Sequence, residues 1–566
     1  MSYRAPLRQL RTALKTVGAD RLAETTLFAE ATEDTVTAVL AEAARLAENV
    51  LAPLQRAGDL HPARLENGVV RTSPGYAEGY RAIAEGGWVG IGADPEYGGM
   101  GLPMTVVSAV GEMLSASCLS LSLNPLLTQG QIEALHAHAS EEIKALYLPK
   151  LVSGEWTGTM NLTEPQAGSD VGALRSTARP NGDGTFAVTG QKIFISWGDH
   201  DLTENICHLV LARLPGAAPG TRGISLFLVP KVLPGAEGDP GAANSLRTVS
   251  LEHKMGLHGS PTAVLDFDGA TGWLIGAEHA GMAAMFTMMN NARLGVGVEG
   301  LGVAEAALQQ ALAFAAERRQ GRTPNGEPTI QGHADVRRML GEMAGLTATA
   351  RMICLDCAFS LDMARAADSD EERARWAARG ALLTPIAKAF GTETGCRVSD
   401  LGIQVHGGMG YVEETGAAQY FRDVRVTAIY EGTNGIQAMD LVGRKLADGG
   451  AALRGLLGEI GAGIDAADAA LAGPMRAALG EIERTADWML AAEMTDRAAG
   501  AAPFLRALAL MLGAHHLAAA ARIDPGLSAL AGLHVGRLLP EAGALCAQAR
   551  AGAQGLYAFD PAELRA

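Results

Sequence analysis

Hydrophobic residues repeat with two different periods along this chain. Residues 1–158 are mostly apolar at steps of three and four, which predicts helices such as 35–50. Residues 159–278 change to short β-rich runs separated by turns, and the helical step returns over residues 279–448 and 449–566. This order predicts an α+β multidomain protein with an N-terminal helical domain, a middle antiparallel β-barrel or sandwich domain, a helical bundle and an additional C-terminal helical domain.

Individual elements can be placed within this outline. In the first domain, Pro103–Ser117 and Gln129–Tyr147 are expected to be two apolar helices. In the bundle, Met282–Arg318 reads as one long helix. Eight strands are expected in the middle domain: Trp156–Leu162, Leu174–Ala178, Thr185–Thr189, Lys192–Ser196, Cys207–Leu214, Gly223–Val229, Thr248–Glu252 and Thr262–Phe267.

Charge and cysteine content narrow the function classes. The chain of 566 residues has a net charge of −16, which argues against binding nucleic acid or anionic membranes by bulk electrostatics. No segment reads as a membrane span or a secretory signal. Six scattered cysteines suggest a reducing compartment, so a cytoplasmic location is expected. The Cys354-x-x-Cys357 pair lies in a helical pattern and is expected to be buried rather than metal-binding, and no metal site is predicted.

Several familiar motifs can be set aside. Gly295-x-Gly297-x-x-Gly300 follows a helical pattern instead of the strand that a dinucleotide fold requires, so these glycines are expected to permit close helix packing. His406-Gly407-Gly408 resembles a lipase oxyanion loop, but the chain has no GxSxG nucleophile motif. Phosphate-loop and HExxH zinc motifs do not occur either.

Two stretches contain residues of the types found in catalytic or ligand-binding sites. In Tyr430-Glu431-Gly432-Thr433 a carboxylate stands between an aromatic residue and a glycine, where apolar cover would raise its proton affinity. The segment 161–172, NLTEPQAGSDVG, leads from a strand into a loop rich in small and hydroxyl residues, which can offer hydrogen bonds to a polar planar ligand. Taken alone, a glutamate such as Glu431 is usually a solvated surface charge, and the 161–172 loop could be an ordinary turn.

Together these stretches resemble the acyl-CoA dehydrogenase family. Five of its motifs occur in the family's order: the Thr163-Glu164-Pro165 loop, Gly190 to Ser196, Glu317-Arg318-Arg319-Gln320, Gln404 to Gly408, and Tyr430 to Thr433. The resemblance implies an FAD-dependent enzyme that converts an acyl-CoA thioester to the trans-2-enoyl-CoA. It implies that Glu431 removes the α proton while the β hydrogen leaves as hydride to the flavin N5. It also implies that the Glu431 backbone N–H and an FAD ribityl hydroxyl bind the thioester carbonyl.

The resemblance also assigns roles residue by residue. Residues carried over as FAD contacts are Met160, Leu162, Thr163, Gly168, Ser169, Phe194, Ile195, Ser196, Arg318, Gln331, Gln404, Gly407, Gly408 and Thr433. Residues carried over as substrate contacts are Ser169, Arg293, Tyr430 and Gly432. Phe194 stands where the family commonly has a stacking tryptophan. Arg318 would reach the FAD of a neighbouring subunit, which implies a homodimer or a dimer of dimers.

Two departures from the family pattern and the additional C-terminal residues narrow the resemblance to one branch of the family. Gly435 replaces a glutamine that often contacts FAD, and Ala292 offers no alternative base, which favours Glu431. The extra C-terminal residues resemble the bacterial 3-methylmercaptopropionyl-CoA dehydrogenase branch, so a short-chain or 3-methylmercaptopropionyl substrate and an electron-transfer flavoprotein as acceptor are expected. The alternatives are a long-chain dehydrogenase, an acyl-CoA oxidase, a non-catalytic DNA-associated flavoprotein of the same family, and a helical scaffold without a ligand.

Overall fold

The computed structural model describes residues 3–235 and 238–565. The N-terminal region is helical. Its helices are α1 (Leu7–Val17), α2 (Glu33–Leu46), α3 (Ala52–Leu60), α4 (Tyr76–Glu85), α5 (Met104–His138) and α6 (Glu141–Val152). A small hairpin of β1 (Arg64–Glu66) and β2 (Val69–Arg71), which the sequence pattern did not predict, lies between α3 and α4.

Helix α5 differs from the two helices expected in this region. It runs through residues 104–138 with one non-helical residue, Cys118, at φ −157° and ψ 84°. The predicted Gln129–Tyr147 helix is wrong, because Ser140 accepts a hydrogen bond from the Ile143 N–H and starts α6 separately. At the break in α5, the Trp197 indole N–H donates to the Ser120 carbonyl, which satisfies a backbone group that the helix leaves free.

The middle region is a seven-stranded sheet with a small separate hairpin. Its strands are β3 (Trp156–Asn161), β4 (Thr177–Pro180), β5 (Phe186–Ser196), β6 (Asn205–Arg213), β7 (Ile224–Pro230), β10 (Leu246–Leu251) and β11 (Thr262–Ile275), and the hairpin is β8 (Val232–Pro234) with β9 (Pro240–Ala243). Strands β11, β5, β4, β6 and β7 pair in a closed ring. The sheet is mixed rather than wholly antiparallel as expected, because β3 pairs with β6 in parallel and β4 makes one parallel bridge to β6.

The bundle consists of α7 (Gly281–Glu317), α8 (Ala334–Ala366), α9 (Asp370–His406), α10 (Ala417–Val424) and α11 (Asn434–Asp440). Helices α7 and α9 pack backbone to backbone at glycines. A Cβ placed on Gly300 would lie 2.4 Å from the Gly391 carbonyl oxygen, and one on Gly391 would lie 2.3 Å from the Gly297 carbonyl oxygen. The GxGxxG glycines therefore serve helix packing, as predicted.

The C-terminal region shares the core of the bundle. It contains α12 (Ala451–Asp465), α13 (Ala469–Ala491), α14 (Met494–Ile523), α15 (Ser528–Leu533), α16 (Glu541–Arg550) and α17 (Gln554–Ala558). Buried side chains of α14, including Leu508 and Leu512, belong to the same apolar cluster as Leu346 and Ile353 of α8.

Three helices, α5, α8 and α14, are long and apolar enough to cross a membrane by length and composition alone. The expectation that no segment has this character is therefore wrong. Within this fold, 89%, 83% and 78% of their most apolar windows are buried, and a helix packed on all sides is apolar on all sides. Cys354 and Cys357 are buried in α8, as predicted.

Candidate active site

Glu431 occupies a strained turn just before α11. Its φ of +55° places it in the left-handed region, and Gly432 follows with φ +84°. Left-handed backbone is unfavourable for a residue with a side chain and persists only where neighbours fix it. The Gln437 side-chain amide donates to the carbonyl oxygens of Glu431 and Gly432, at 3.3 Å each, and Thr433 caps α11 by accepting from the Ile436 N–H.

A second set of contacts holds the turn from α9. The buried Lys388 ammonium group donates to the Asn434 side-chain oxygen at 3.0 Å, and the Thr392 hydroxyl donates to the same atom at 3.1 Å. Asn434 in turn donates to the Ala389 carbonyl oxygen. The backbone that leaves the turn carrying Glu431 is thereby fixed.

The surroundings of Glu431 give it the protonation behaviour of a base near neutral pH. Burial raises the pKa of Glu431 to about 7, although the positive charges of Arg293 and Lys388 partly oppose this rise. Burial also lowers the pKa of Lys388 to about 8. Within residues 3–235 and 238–565, the backbone N–H of Glu431 donates to no protein atom, so it is available to a ligand.

Arg293 and Tyr430 lie close enough to Glu431 for its charge to act on both. Arg293 is buried on α7, with one guanidinium nitrogen 3.5 Å from the Asp440 carboxylate. The Tyr430 hydroxyl donates to the buried carboxyl group of Glu299, also on α7. Sequence reasoning overlooked Glu299 and Lys388, although an ionisable residue inside an otherwise apolar helix is a signal for both.

A buried ion pair joins the 161–172 loop to β5. The Lys192 ammonium group lies 2.8 Å from the Glu164 carboxylate, which also accepts from the Ser176 hydroxyl and from the backbone N–H groups of Arg175 and Ser176. The Ile193 N–H donates to the Thr163 carbonyl oxygen at 2.9 Å. Glu164 therefore holds the loop in place, and Lys192 was not among the predicted site residues.

The predicted flavin contacts lie on this loop and at the end of β5. Phe194 has φ +61° and is 59% exposed, so a large aromatic ring is presented to solvent by a constrained backbone. Gly168 and Ser169 are exposed, Met160, Leu162, Thr163 and Ser196 are partly buried, and Ile195 is buried. Met160, Leu162 and Tyr430 each pack against the large apolar cluster that extends through the N-terminal and middle regions.

A third group of predicted residues lies at the other end of the bundle. Arg318 follows the last residue of α7, Gln404 lies in the last turn of α9, and Gly407 and Gly408 follow that helix. Stacking of Phe314 on His406, at 4.4 Å between ring centres, shows that these two helix ends are adjacent. At 1.5 Å per residue, the α7 segment from Glu299 to Arg318 spans roughly 28 Å. This group, which includes Gln331, is therefore separate from the base of the same chain.

The residues present fit a long ligand with a planar aromatic end, as FAD is. The exposed Phe194 ring offers a stacking surface, and Thr163 and Ser196 offer hydroxyl groups beside it. A Cβ added to Gly168, Gly407 or Gly408 would meet no described atom within 4 Å, which leaves room for a ligand against the backbone. A Cβ on Gly435, which stands in place of the glutamine expected from the resemblance, would lie 3.7 Å from the Thr433 hydroxyl oxygen.

Protein-family models and known proteins resemble this chain over most of its length. The acyl-CoA dehydrogenase N-terminal, middle and C-terminal domain families match residues 33–155, 159–270 and 279–446. A 3-methylmercaptopropionyl-CoA dehydrogenase of Ruegeria pomeroyi is 47% identical over 461 residues, covering 80% of this chain and 78% of the relative.

Solved structures show the same fold, including the C-terminal region. Caenorhabditis elegans ACDH-11 in complex with C11-CoA has a TM-score of 0.79 at 23% identity, covering 96% of this chain and 91% of that chain. An acyl-CoA dehydrogenase from Bacillus anthracis complexed with FAD has a TM-score of 0.74 at 22% identity, covering 96% and 92%. The chain belongs to the acyl-CoA dehydrogenase family of FAD-dependent oxidoreductases.

Proposed function

We propose that this acyl-CoA dehydrogenase oxidises a short acyl-CoA, with 3-methylmercaptopropionyl-CoA as the leading candidate, and that Glu431 is its base. The observation that carries the assignment of the base is the constrained turn, which presents a carboxylate with a pKa of about 7 beside a free backbone N–H. The similarity to the Ruegeria pomeroyi enzyme supports the substrate.

In the proposed mechanism, the Glu431 N–H donates to the thioester carbonyl and stabilises the negative charge that develops on its oxygen as the α proton leaves. The Glu431 carboxylate takes that proton as general base. Arg293 and Lys388 favour the ionised carboxylate before the reaction. Bound FAD supplies the hydride acceptor for the β hydrogen.

The cavity between α5 and α7 supports a small acyl group. It measures about 50 Å³, and Gly295 and Val298 of α7 are among its lining residues. The Leu126 side chain lies 2.5 Å from the position that a Cβ on Gly295 would occupy, so it fills the space that this glycine leaves. The lining of this cavity includes the polar side chains of Ser108, Ser115, Ser122, Gln129 and Asn291, and such a lining suits an acyl group with a polar atom.

We further propose a homodimer or a dimer of dimers in the cytoplasm, with an electron-transfer flavoprotein as acceptor. The distance along α7 between Glu299, which binds the tyrosine next to the base, and Arg318 supports FAD binding across two subunits. Six free cysteines, five of them buried, fit a reducing compartment. An acyl-CoA oxidase would instead form peroxide in air.

An anaerobic titration followed by the flavin absorbance tests this proposal. The panel consists of butyryl-CoA, 3-methylmercaptopropionyl-CoA, octanoyl-CoA and palmitoyl-CoA, each added to wild type and to Glu431→Gln. We expect the short substrates to bleach wild type most effectively and the variant to react about 10²- to 10⁴-fold more slowly. Equal bleaching of the variant would refute Glu431 as the base, and a preference for palmitoyl-CoA would refute the short-chain assignment.

A further inference from the structure

Glu299 is a buried carboxyl group that the family motifs leave unexplained. It lies on α7 with 2% of its surface exposed, among glycine and aliphatic residues. One carboxyl oxygen accepts the hydrogen bond from the Tyr430 hydroxyl. The other, Oε1, is buried and has no hydrogen-bond partner in the described part of the chain. Burying a carboxyl group with half of its hydrogen-bonding capacity unused destabilises a fold, so its position next to the base calls for a function.

The charged neighbours of Glu299 come from two other elements. Lys388 of α9 and Glu431 of the base turn both act on its charge. On α7 itself, Arg293 interacts with Lys388 and Glu431, and Glu393 of α9 interacts with Lys388. These groups form one electrostatic cluster around the proposed base.

Helix α5, which packs against the same part of α7, lines the cavity with neutral side chains, and its titrating group there, Glu133, has a pKa that burial raises to about 7 and is hydrogen-bonded to Asn291 of α7. Its residues along the cavity include Ser115, Ser122 and Gln129. The carboxylate of Glu112 on α5 is already paired with Arg351, which also binds Glu305 of α7. The nearest charges to Glu299 are therefore those of the cluster that contains the base.

We propose that Glu299 is a positioning residue for the reaction: it holds the Tyr430 hydroxyl, thereby fixes the turn that presents Glu431, and together with Lys388 sets the charge around that base. The inference rests on the proposed role of Glu431. Tyr430 immediately precedes Glu431, so the hydrogen bond from its hydroxyl to α7 restrains the backbone that enters the left-handed turn. Contacts of Lys388 and Gln437 restrain the backbone that leaves it.

The two carboxyl groups should titrate as a coupled pair. Burial raises the pKa of Glu299 to about 8, and the hydrogen bond from Tyr430 partly opposes this rise. Glu431, with a pKa of about 7, loses its proton first. Between about pH 7 and 8 the pair then carries on average one negative charge, located mainly on Glu431, and the second charge forms at higher pH.

The variant Glu299→Gln separates a positioning role from simple packing. Glutamine has nearly the same shape and can accept the Tyr430 hydrogen bond, but it does not ionise. Tyr430→Phe removes the same hydrogen bond from the other side and leaves Glu299 able to ionise. Glu305→Gln is the matched control, because it removes another buried carboxylate from α7 that pairs with Arg351 instead of the base.

The experiment measures the anaerobic rate of flavin reduction by butyryl-CoA between pH 6 and 9.5 for these variants of the holoenzyme. A second measurement, without turnover, follows the flavin absorbance across the same pH range in the presence of crotonyl-CoA. In wild type we expect one inflection near pH 7 and another near pH 8 in both measurements. Glu299→Gln should retain the inflection near pH 7, at equal or lower pH, and lose the inflection near pH 8. Tyr430→Phe should reduce the flavin about tenfold more slowly than wild type. Glu305→Gln should keep both inflections.

The outcomes distinguish failure of the role proposed for Glu299 from failure of the proposed function. A pH profile of Glu299→Gln that superimposes on wild type would overturn the proposal, as would a variant with lower thermal stability and an unchanged profile. Rapid flavin reduction by Glu431→Gln would instead overturn the proposed function. Loss of the upper inflection in Glu299→Gln, with the reaction still dependent on Glu431, supports both.

Discussion

The Lys192 ammonium group lies 2.8 Å from the Glu164 carboxylate, and both groups are buried. This pair joins two separate sequence motifs, the Thr163-Glu164-Pro165 loop and the strand that ends at Phe194 and Ser196. Burial raises the pKa of Glu164, but Lys192 and the hydrogen bonds from Ser176 and Arg175 outweigh that effect and bring it to about 2. Burial lowers the pKa of Lys192 to about 8, so the pair is ionised at neutral pH.

Breaking this pair should destabilise the protein and release its flavin. We expect Lys192→Met to cost about 3–5 kcal/mol, because it leaves an uncompensated carboxylate in the interior. Urea unfolding and the flavin content of the purified protein measure the two effects. The control is Glu33→Gln, which removes an exposed partner of Lys15 and should change neither quantity measurably. Retention of full stability in Lys192→Met would show that the pair is not needed to hold the loop.

The same pair predicts flavin loss in acid. The pKa of Glu164 is lower in the folded protein than in the unfolded chain, so its stabilising effect is present above the unfolded value of about 4.5 and is lost as the pH falls toward 2. Flavin release should therefore increase over this range in wild type. In Glu164→Gln, release should already be high at pH 6 and depend less on pH.

The pKa of Glu431 predicts opposite effects on activity and stability. Flavin reduction should fall about tenfold per pH unit below about pH 7, because the base must be ionised. The folded-state pKa is raised above its unfolded value, so this group reduces stability as the pH rises from about 4.5 through 7. Glu431→Gln should consequently have a higher Tm than wild type at pH 8 and a similar Tm at pH 4.5. Equal Tm differences at both pH values would contradict the buried, titrating carboxyl group.

Helix packing at glycines can be tested with single methyl groups. Gly300→Ala places a Cβ 2.4 Å from the Gly391 carbonyl oxygen and should cost about 1–3 kcal/mol, because both helix backbones must move apart. The control is Gly458→Ala on the exposed side of α12, where the new Cβ would meet no atom within 4 Å from outside its own helix backbone in the described part of the chain. It should stabilise the protein by about 0.5–1 kcal/mol, since alanine favours the helix. Similar urea midpoints for the two variants would contradict the close packing.

Mixed oligomers can test whether Arg318 serves a neighbouring subunit. In a dimer, a chain with Arg318→Ala and a chain with Glu431→Gln together form one intact site if each site combines Glu431 of one chain with Arg318 of the other. Random pairing of equal amounts should then recover about a quarter of the wild-type sites. Homodimers of either variant should be nearly inactive. No recovery on co-expression would place Arg318 and Glu431 in the same chain's site.

The sequence alone determined much of the fold and the proposed base. A change in the period of the hydrophobic residues separated the β region from the flanking helices, because side chains face the core at every second residue in a strand and at every third or fourth residue in a helix. The turn residues Glu431 and Gly432 stood out because a carboxylate beside a glycine is a local feature. The role of Gly297 and Gly300 in helix packing could also be predicted from the local sequence, because a helical pattern surrounds them.

The tertiary structure decided what depends on contacts between distant residues. Lys192 follows Glu164 by 28 positions and Tyr430 follows Glu299 by 131, and no spacing rule predicts either contact. The parallel pairing of β3 with β6 likewise depends on sheet register beyond any single strand. Burial is a property of the assembled fold, and it raises the pKa of Glu431 and lowers that of Lys388. The sequence determined which residue types were present at the site, and only packing determined their protonation and partners.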